Sequence, residues 1–174
     1  FRKKHDRYRG VATEIFQAAP FRQKPVEDHH LSCSPWQIMD FASENFFKEQ
    51  LAREMLQEKG YKDISPFLAA HEQRFQYRNK MEFNFVEAEG QVSLAFYERE
   101  KQSKIPVSGC ILGKKEIQKT ASALIQWINK NKLKECMLKT LMLRCNREGE
   151  VLGALFVHEE NFPRLDFPAT EHLK

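Results

Sequence analysis

Cysteine and histidine are the residue types in this chain best suited to chemistry, and they meet in one short polar stretch, at His29, His30 and Cys33. A thiolate beside an imidazole can act as an activated nucleophile. Working pairs of that kind are usually assembled from distant parts of a chain, so Cys33 with His29 or His30 is not read as one. His30-x-x-Cys33 also has the spacing of two metal ligands, and Cys110 can supply a third from a loop that follows a strand. No C-x-x-C occurs and a fourth soft ligand is not evident, so these side chains are read as packed or exposed rather than metal-bound. Cys136 and Cys145 lie at or in a strand pair and serve as small apolar fillers. The seven glycines form neither G-x-G nor G-x-x-x-x-G-K, which leaves no phosphate or dinucleotide cradle.

A second constellation lies on one strand. In Arg74-Phe-Gln-Tyr-Arg-Asn-Lys-Met-Glu-Phe-Asn-Phe85, the residues Phe75, Tyr77, Met81, Phe83 and Phe85 share one parity. Arg74, Gln76, Arg78, Lys80, Glu82 and Asn84 share the other, which predicts a half-buried strand with a polar, largely basic outer face. Arg74, Arg78 and Lys80 on that face can meet phosphates, and Gln76 and Asn84 can hydrogen-bond to splayed bases. The competing reading is a solvated sheet face.

These residues need elements to position them. Glu87-Ala-Glu-Gly90 can turn the chain into a return strand with Val92, Leu94 and Phe96 alternating, so 74–97 reads as a hairpin. Leu138–Cys145, a turn at Asn146-Arg-Glu-Gly149 and Val151–Val157 read as a second hairpin. Phe47, Leu51 and Met55 recur at i+4 in a helix from about Asp40 to Lys59, stopped by Gly60 and read as facing the core. A second helix from about Lys114 to Lys130 has Ile117, Ala121, Leu124, Ile125 and Ile128 on its apolar side. Ile105-Pro-Val107 is a short extended piece, and 10–16 is a weak strand candidate before Pro20 and Pro25. Two hairpins interleaved with two packed amphipathic helices predict an α+β fold, with an antiparallel sheet covered on one side.

The 174 residues are 41% hydrophobic, enough for one real core. Of the net charge of +4, the excess sits in residues 1–26, where Arg2, Lys3, Lys4, Arg7, Arg9, Arg22 and Lys24 face only Asp6 and Glu14. A basic arm of this kind commonly meets phosphates, although a solvated terminus has the same composition. No run approaches the roughly 18–20 apolar residues of a membrane span. Four scattered cysteines do not make a secreted disulfide framework, so a cytoplasmic setting is expected. The first residue is Phe1, and the stretch after His158 ends without a terminating element, as expected of a segment trimmed from a longer chain.

Tyr77-Arg-Asn-Lys-Met-Glu-Phe83 resembles the Tyr-Arg-Asn-Lys/Arg segment of the RNA (uracil-5-)methyltransferases, which methylate C5 of uridine in ribosomal and transfer RNA. The surroundings agree in order and spacing. Cys33-Ser-Pro-Trp-Gln37 precedes a charged helix, Ile105 through Cys110-Ile-Leu precedes the second helix, and Leu141-Met-Leu-Arg144 is followed by Arg147-Glu-Gly-Glu-Val151. Residues 2–15 look like the last strand of the TRAM domain, an OB-like β-barrel that often precedes this region. The resemblance runs from about residue 2 to 158.

It implies three segments: 1–25, the end of a TRAM-like domain and linker; 26–160, a central RNA-recognition α+β domain; and 161–174, a tail leading towards an S-adenosylmethionine-binding domain. In the family the cysteine that attacks C6 of uracil lies in that later domain. The resemblance therefore implies no catalytic residue here, and the nucleophile is not Cys33, Cys110, Cys136 or Cys145. It implies that Arg78 meets RNA, with Arg74 and Lys80 helping and Arg2, Lys3, Lys4, Arg7 and Arg9 attracting phosphates. The competing role for Arg78 is an internal salt bridge.

Many members hold a [4Fe–4S] cluster in this region with four cysteines. Cys33 and Cys110 match two of those positions, while the other two fall around Glu27 and Trp36. Two thiolates do not make a four-thiolate site, so the expectation is no iron–sulfur cluster, with Trp36 and its neighbours filling the space and the two cysteines adjacent without a metal. The alternatives to an RNA-recognition fragment are a stand-alone nucleic-acid-binding module and a protein-interaction or zinc-binding domain.

Overall fold

A stripe of apolar side chains at helical spacing needs a sheet to cover, and the two hairpins supply it. In the computed structural model, residues 2–4, 7–9, 12, 14–64, 66, 72–99, 101–158, 162, 163, 166, 172 and 173 are described, with 2–4 and 7–9 as backbone only. The main sheet is antiparallel, five-stranded and ordered β5-β4-β3-β6-β7. Its strands are β3 (Lys80–Ala88), β4 (Gln91–Tyr97), β5 (Lys104–Val107), β6 (Leu138–Cys145) and β7 (Val151–Val157). Two short strands, β1 (Arg2–Lys4) and β2 (Arg7–Arg9), form a separate antiparallel ribbon. The strand expected over 10–16 is not seen at residues 12 and 14–16, and its remaining positions lie outside the described residues.

Helix α3 (Lys115–Lys130) buries Ile117, Thr120, Ala121, Leu124, Trp127 and Ile128, one stripe at i+3 and i+4 spacing. The stripe packs against β4, β6 and β7 over Phe83, Phe85, Leu94, Leu141 and Leu143. Burying each such side chain contributes roughly 1.5–3 kcal/mol, which makes this layer the stable centre of the fold. β6 reaches the core with Leu138, Leu141, Leu143 and Cys145, and Leu138 lies on the wrong parity for the other three. An irregularity between Leu138 and Thr140 restores it by inserting one residue against β7.

The first hairpin closes on a two-residue turn. Ala88 pairs with Gln91, and Glu89 and Gly90 both have positive φ, at 54° and 76°. A two-residue connection with both φ positive matches the twist of the flanking strands.

Helix α2 (Phe41–Glu58) is capped by Asp40, whose carboxylate accepts from the Ser43 amide at 2.8 Å. Its first half is anchored: Glu44 is buried and the Phe47 ring lies 5.0 Å from that of Phe21. The expected core-facing role fails in the second half, where Leu51 and Met55 are exposed, as is Phe46. Periodicity places these residues on one stripe but does not supply a surface to cover it. A short helix, α1 (His30–Cys33), and a single 3-10 turn (Pro35–Ile38) precede α2. Among the described residues no helix is long and apolar enough to cross a membrane.

The first long strand begins later than its alternation predicts, at Lys80 rather than Arg74. Gln76 has φ 59°, a left-handed conformation that breaks the pleat. Upstream of Lys80 the inward and outward assignments therefore lapse. Tyr77, expected to face the core, is 53% exposed.

Candidate functional site

The irregular segment from Val26 to Ile38 is organised by one buried amide. Gln37 is 1% exposed, and its Oε1 accepts from the backbone N–H groups of Val26 and Glu27, both at 3.2 Å. Its Nε2 donates to Glu27 Oε2 at 3.0 Å, so both ends of the buried amide are satisfied. The Glu27 carbonyl accepts from the His30 amide at 3.1 Å and lies 3.1 Å from His30 Nδ1, which ties His30 to the start of α1. His29, one residue earlier, is left to face inward.

A second segment meets this one. The backbone of 76–78 is stitched to the loop that follows β5: Gln76 N–H donates to Ile111 O at 2.9 Å, and Arg78 N–H to Leu112 O at 2.8 Å. Lys114 N–H returns a bond to Arg78 O at 3.0 Å. Gly113 pairs with Arg78 so closely that a Cβ there would stand 3.1 Å from Met81 Cγ. Within that loop, Cys110 is 1% exposed.

Where the segments meet, Glu27, His29, Cys33 and Cys110 each offer a ligand atom, all within 4.8 Å of one another. Glu27 Oε1 accepts from the Ile111 amide at 2.6 Å, and Cys33 and Cys110 direct their sulfurs at Glu27 Oε2 at 3.5 and 3.9 Å. His29 Nε2 lies 3.4 Å from Glu27 Oε1, near enough for charge attraction. It has no hydrogen bond of good geometry among the described residues, although it is buried.

The ionisation of these groups follows from their proximity. Burial opposes the Glu27 charge, but the neighbouring His29 imidazole and the bonds from Gln37 and the Ile111 amide outweigh it and hold the carboxyl down at about 2. The Cys110 sulfur and the Glu27 carboxylate raise the His29 imidazole to about 9, against the burial that lowers it. Hydrogen bonding from Cys33 holds the Cys110 thiol down at about 5 despite its burial, with His29 and the Leu112 amide assisting. The neighbouring Cys110, then burial and Glu27, push the Cys33 thiol up.

The sequence pattern of two matching cysteines is thus joined in space, but the rest of the donor set differs from expectation. The two sulfurs have a carboxylate, an imidazole and the amide of Gln37, the neighbour of Trp36, beside them. Trp36 lies 5.5 Å beneath the Lys48 ammonium. His30 is not part of the group and His29 is. The residues do not fit a [4Fe–4S] cluster held by four thiolates, because only two thiols are present and the four donors crowd around one point. No glycine-rich loop among the described residues supplies a cradle for S-adenosylmethionine.

Beside this group lies an open groove of about 250 Å³ lined by Ser32, Cys33, Arg78, Lys80, Glu82 and Phe96. Arg78 is half-buried, with Nη2 3.5 Å from the Cys33 carbonyl. Lys80 is about half exposed and pairs with Glu82 at 2.6 Å. Arg74, expected beside them, turns inward: it pairs with Glu44 at 3.1 Å and donates to the Met39 carbonyl at 2.6 Å and the Trp36 carbonyl at 3.3 Å. Three residues of one predicted face therefore do two different things. The side chains of Arg2, Lys3, Lys4, Arg7 and Arg9 lie outside the described residues.

No family model matches the sequence. The chain is similar to a protein of Fusobacterium nucleatum named an uncharacterized RNA methyltransferase, 25% identical over 184 residues, which covers 95% of this chain and 39% of that protein. It is also similar to a Clostridium tetani protein of the same description, 23% identical over 165 residues, covering 88% of this chain and 36% of that one. The chain thus spans under two fifths of the length of the curated relatives it matches.

Proposed function

We propose that this chain is the RNA-recognition portion of an S-adenosylmethionine-dependent RNA (uracil-5-)methyltransferase of the cytoplasm, acting on ribosomal or transfer RNA. The observation that carries the reading is the similarity, along 95% of the chain, to a protein named as an RNA methyltransferase. The uracil-5 subtype rests on the Tyr77–Phe83 segment and its ordered surroundings. Methyl transfer belongs, on this reading, to a further domain of the same polypeptide that holds the cofactor and the nucleophile.

What this chain does is hold RNA. Arg78 and Lys80 place positive charge along the rim of the groove, and Tyr77 presents an exposed ring one residue away. A cation rim beside an aromatic face suits an unpaired base and its phosphate, the part of RNA that proteins can read. Backbone bonds between 76–78 and 111–114 hold this rim rigidly, so little ordering is required on binding.

Fluorescence anisotropy with an RNA hairpin carrying unpaired uridines, titrated at several salt concentrations, tests the reading. Binding that weakens with salt and is impaired in Arg78→Ala, with the fold intact by circular dichroism, is the expected result. A folded chain that binds no RNA at low salt overturns it.

A further inference from the structure

We infer that Glu27, His29, Cys33 and Cys110 together bind a single divalent transition-metal ion, zinc by donor set, in a closed structural site that staples the segment before α2 to the loop before α3. This inference does not depend on the RNA-methyltransferase reading.

Spacing is the first ground. The four donor atoms all lie within 4.8 Å of one another. In a tetrahedral zinc site the ligands stand at about 2.0–2.3 Å from the ion, so donor atoms are separated by roughly 3.3–3.8 Å. A group of this width therefore converges on one ion with small side-chain adjustments. Four separate irons of a cubane, each needing its own ligand, would require a much wider ring of donors.

Donor chemistry is the second. Two thiols, an imidazole and a carboxylate form a set that suits a borderline-soft ion and excludes the all-oxygen preference of magnesium and calcium. Four protein donors leave no position open for water or substrate, which is the pattern of structural rather than catalytic zinc.

The surroundings are the third. Metal ligands are usually held by outer partners that fix their orientation. Gln37 donates to Glu27 Oε2 at 3.0 Å and contacts Cys33 Sγ at 3.8 Å, while its own Oε1 is engaged by two backbone amides. Glu27 Oε1 is held by the Ile111 amide. His29 Nε2 is buried and aimed into the group, 3.4 Å from Glu27 Oε1. Cys110 meets Glu27 from 83 positions further along the chain, so one ion would close a long loop and contribute directly to folding.

The test uses the whole chain, purified from zinc-supplemented medium, with metal content measured by mass spectrometry. Reloading with cobalt after chelation gives a second readout. One zinc per chain is expected, and the cobalt form should show tetrahedral d–d bands with thiolate-to-cobalt charge transfer. Cys110→Ser and His29→Ala should lose the ion, while Cys136→Ser and His30→Ala keep it. Gln37→Glu, which keeps an oxygen for the Val26 and Glu27 amides but removes the donor to Glu27, should weaken affinity by about 10–100-fold in competition with a chromophoric chelator. The wild-type cobalt spectrum stands even if a ligand variant fails to fold. A folded wild-type chain that retains no metal and gives no cobalt charge-transfer band overturns the inference. So does iron accompanied by inorganic sulfide, or loss of the ion in Cys136→Ser equal to that in Cys110→Ser. RNA binding that persists in a metal-free chain would leave the proposed function standing independently.

Discussion

The carboxylate of Glu27 and the backbone amide of Ile111, 84 positions apart in the chain, are joined by a hydrogen bond of 2.6 Å. The same side chain receives the Gln37 amide, so it links two irregular segments that no helix or strand connects. Glu27→Ala leaves the Ile111 amide without this acceptor and the Gln37 Nε2 with only the weaker Cys33 sulfur at 3.8 Å. Each unsatisfied buried group costs about 1–3 kcal/mol, and a total loss of roughly 3 kcal/mol is expected. Glu27→Gln keeps one acceptor and should lose about half as much. Urea unfolding with chelator present isolates this from any metal contribution, and an Ala variant with an unchanged midpoint would refute it.

Arg74 acts as a brace. Its side chain is 15% exposed, Glu44 is 9% exposed, and its fork also holds the Trp36 and Met39 carbonyls. Breaking a buried pair costs about 3–5 kcal/mol, and Arg74→Ala should sit near the lower end because Lys48 still reaches Glu44 at 2.6 Å. Arg74→Lys should rescue little, since a point charge cannot reproduce the fork. The melting temperature should fall while RNA affinity, measured where the variant is folded, stays near wild type. The reverse pattern would place Arg74 at the RNA.

How far the structure is legible in the sequence depends on whether a local period dictates the answer. The hairpin of β6 and β7 and the stripe of α3 are read correctly because alternation and 3.6-residue spacing are local properties. Tyr77 is misread because the left-handed backbone at Gln76 interrupts a pattern that the residue types alone continue. The apolar stripe of α2 is read correctly as a stripe and, at Leu51 and Met55, wrongly as core, since burial depends on a surface elsewhere in the chain. Cys33 and Cys110 are recognisable through family resemblance. His29 and His30 are adjacent and chemically alike, and only the start of α1 decides which one faces the sulfurs. Glu27 falls where the resemblance marks a ligand position, but its residue type gives no local signal, because its role is set by the Gln37 and Ile111 bonds.

The turn between β3 and β4 has room for improvement. Glu89 has φ 54° without being glycine or asparagine, and two positive φ values are what its turn type requires. Glu89→Asn should stabilise the chain by a few tenths of a kcal/mol, because asparagine tolerates this conformation better. Gly90→Ala, at φ 76°, should cost about 1–2 kcal/mol although nothing lies within 4 Å of the added Cβ. Thermal unfolding of both variants checks the signs, and a stabilising Gly90→Ala would mean that the turn relaxes to another type.

Lys80 and Glu82 form a pair at 2.6 Å with both side chains about half exposed, beside the groove that Arg78 lines. Such a surface pair adds little stability, so its charges are available to a polyanion. Lys80→Ala should leave the melting temperature almost unchanged, weaken RNA binding at every sequence alike, and reduce the slope of log affinity against log salt by roughly 0.7 for single-stranded RNA. Glu82→Gln removes the competitor for the Lys80 ammonium and a repulsive charge from the groove rim, so affinity should rise at low salt and converge on wild type as salt increases. Arg78→Ala should lose more than Lys80→Ala, because the Lys80 charge is already partly met by Glu82. If Lys80→Ala and Glu82→Gln both leave affinity and salt slope untouched, the RNA passes elsewhere on the surface and the groove is not its path.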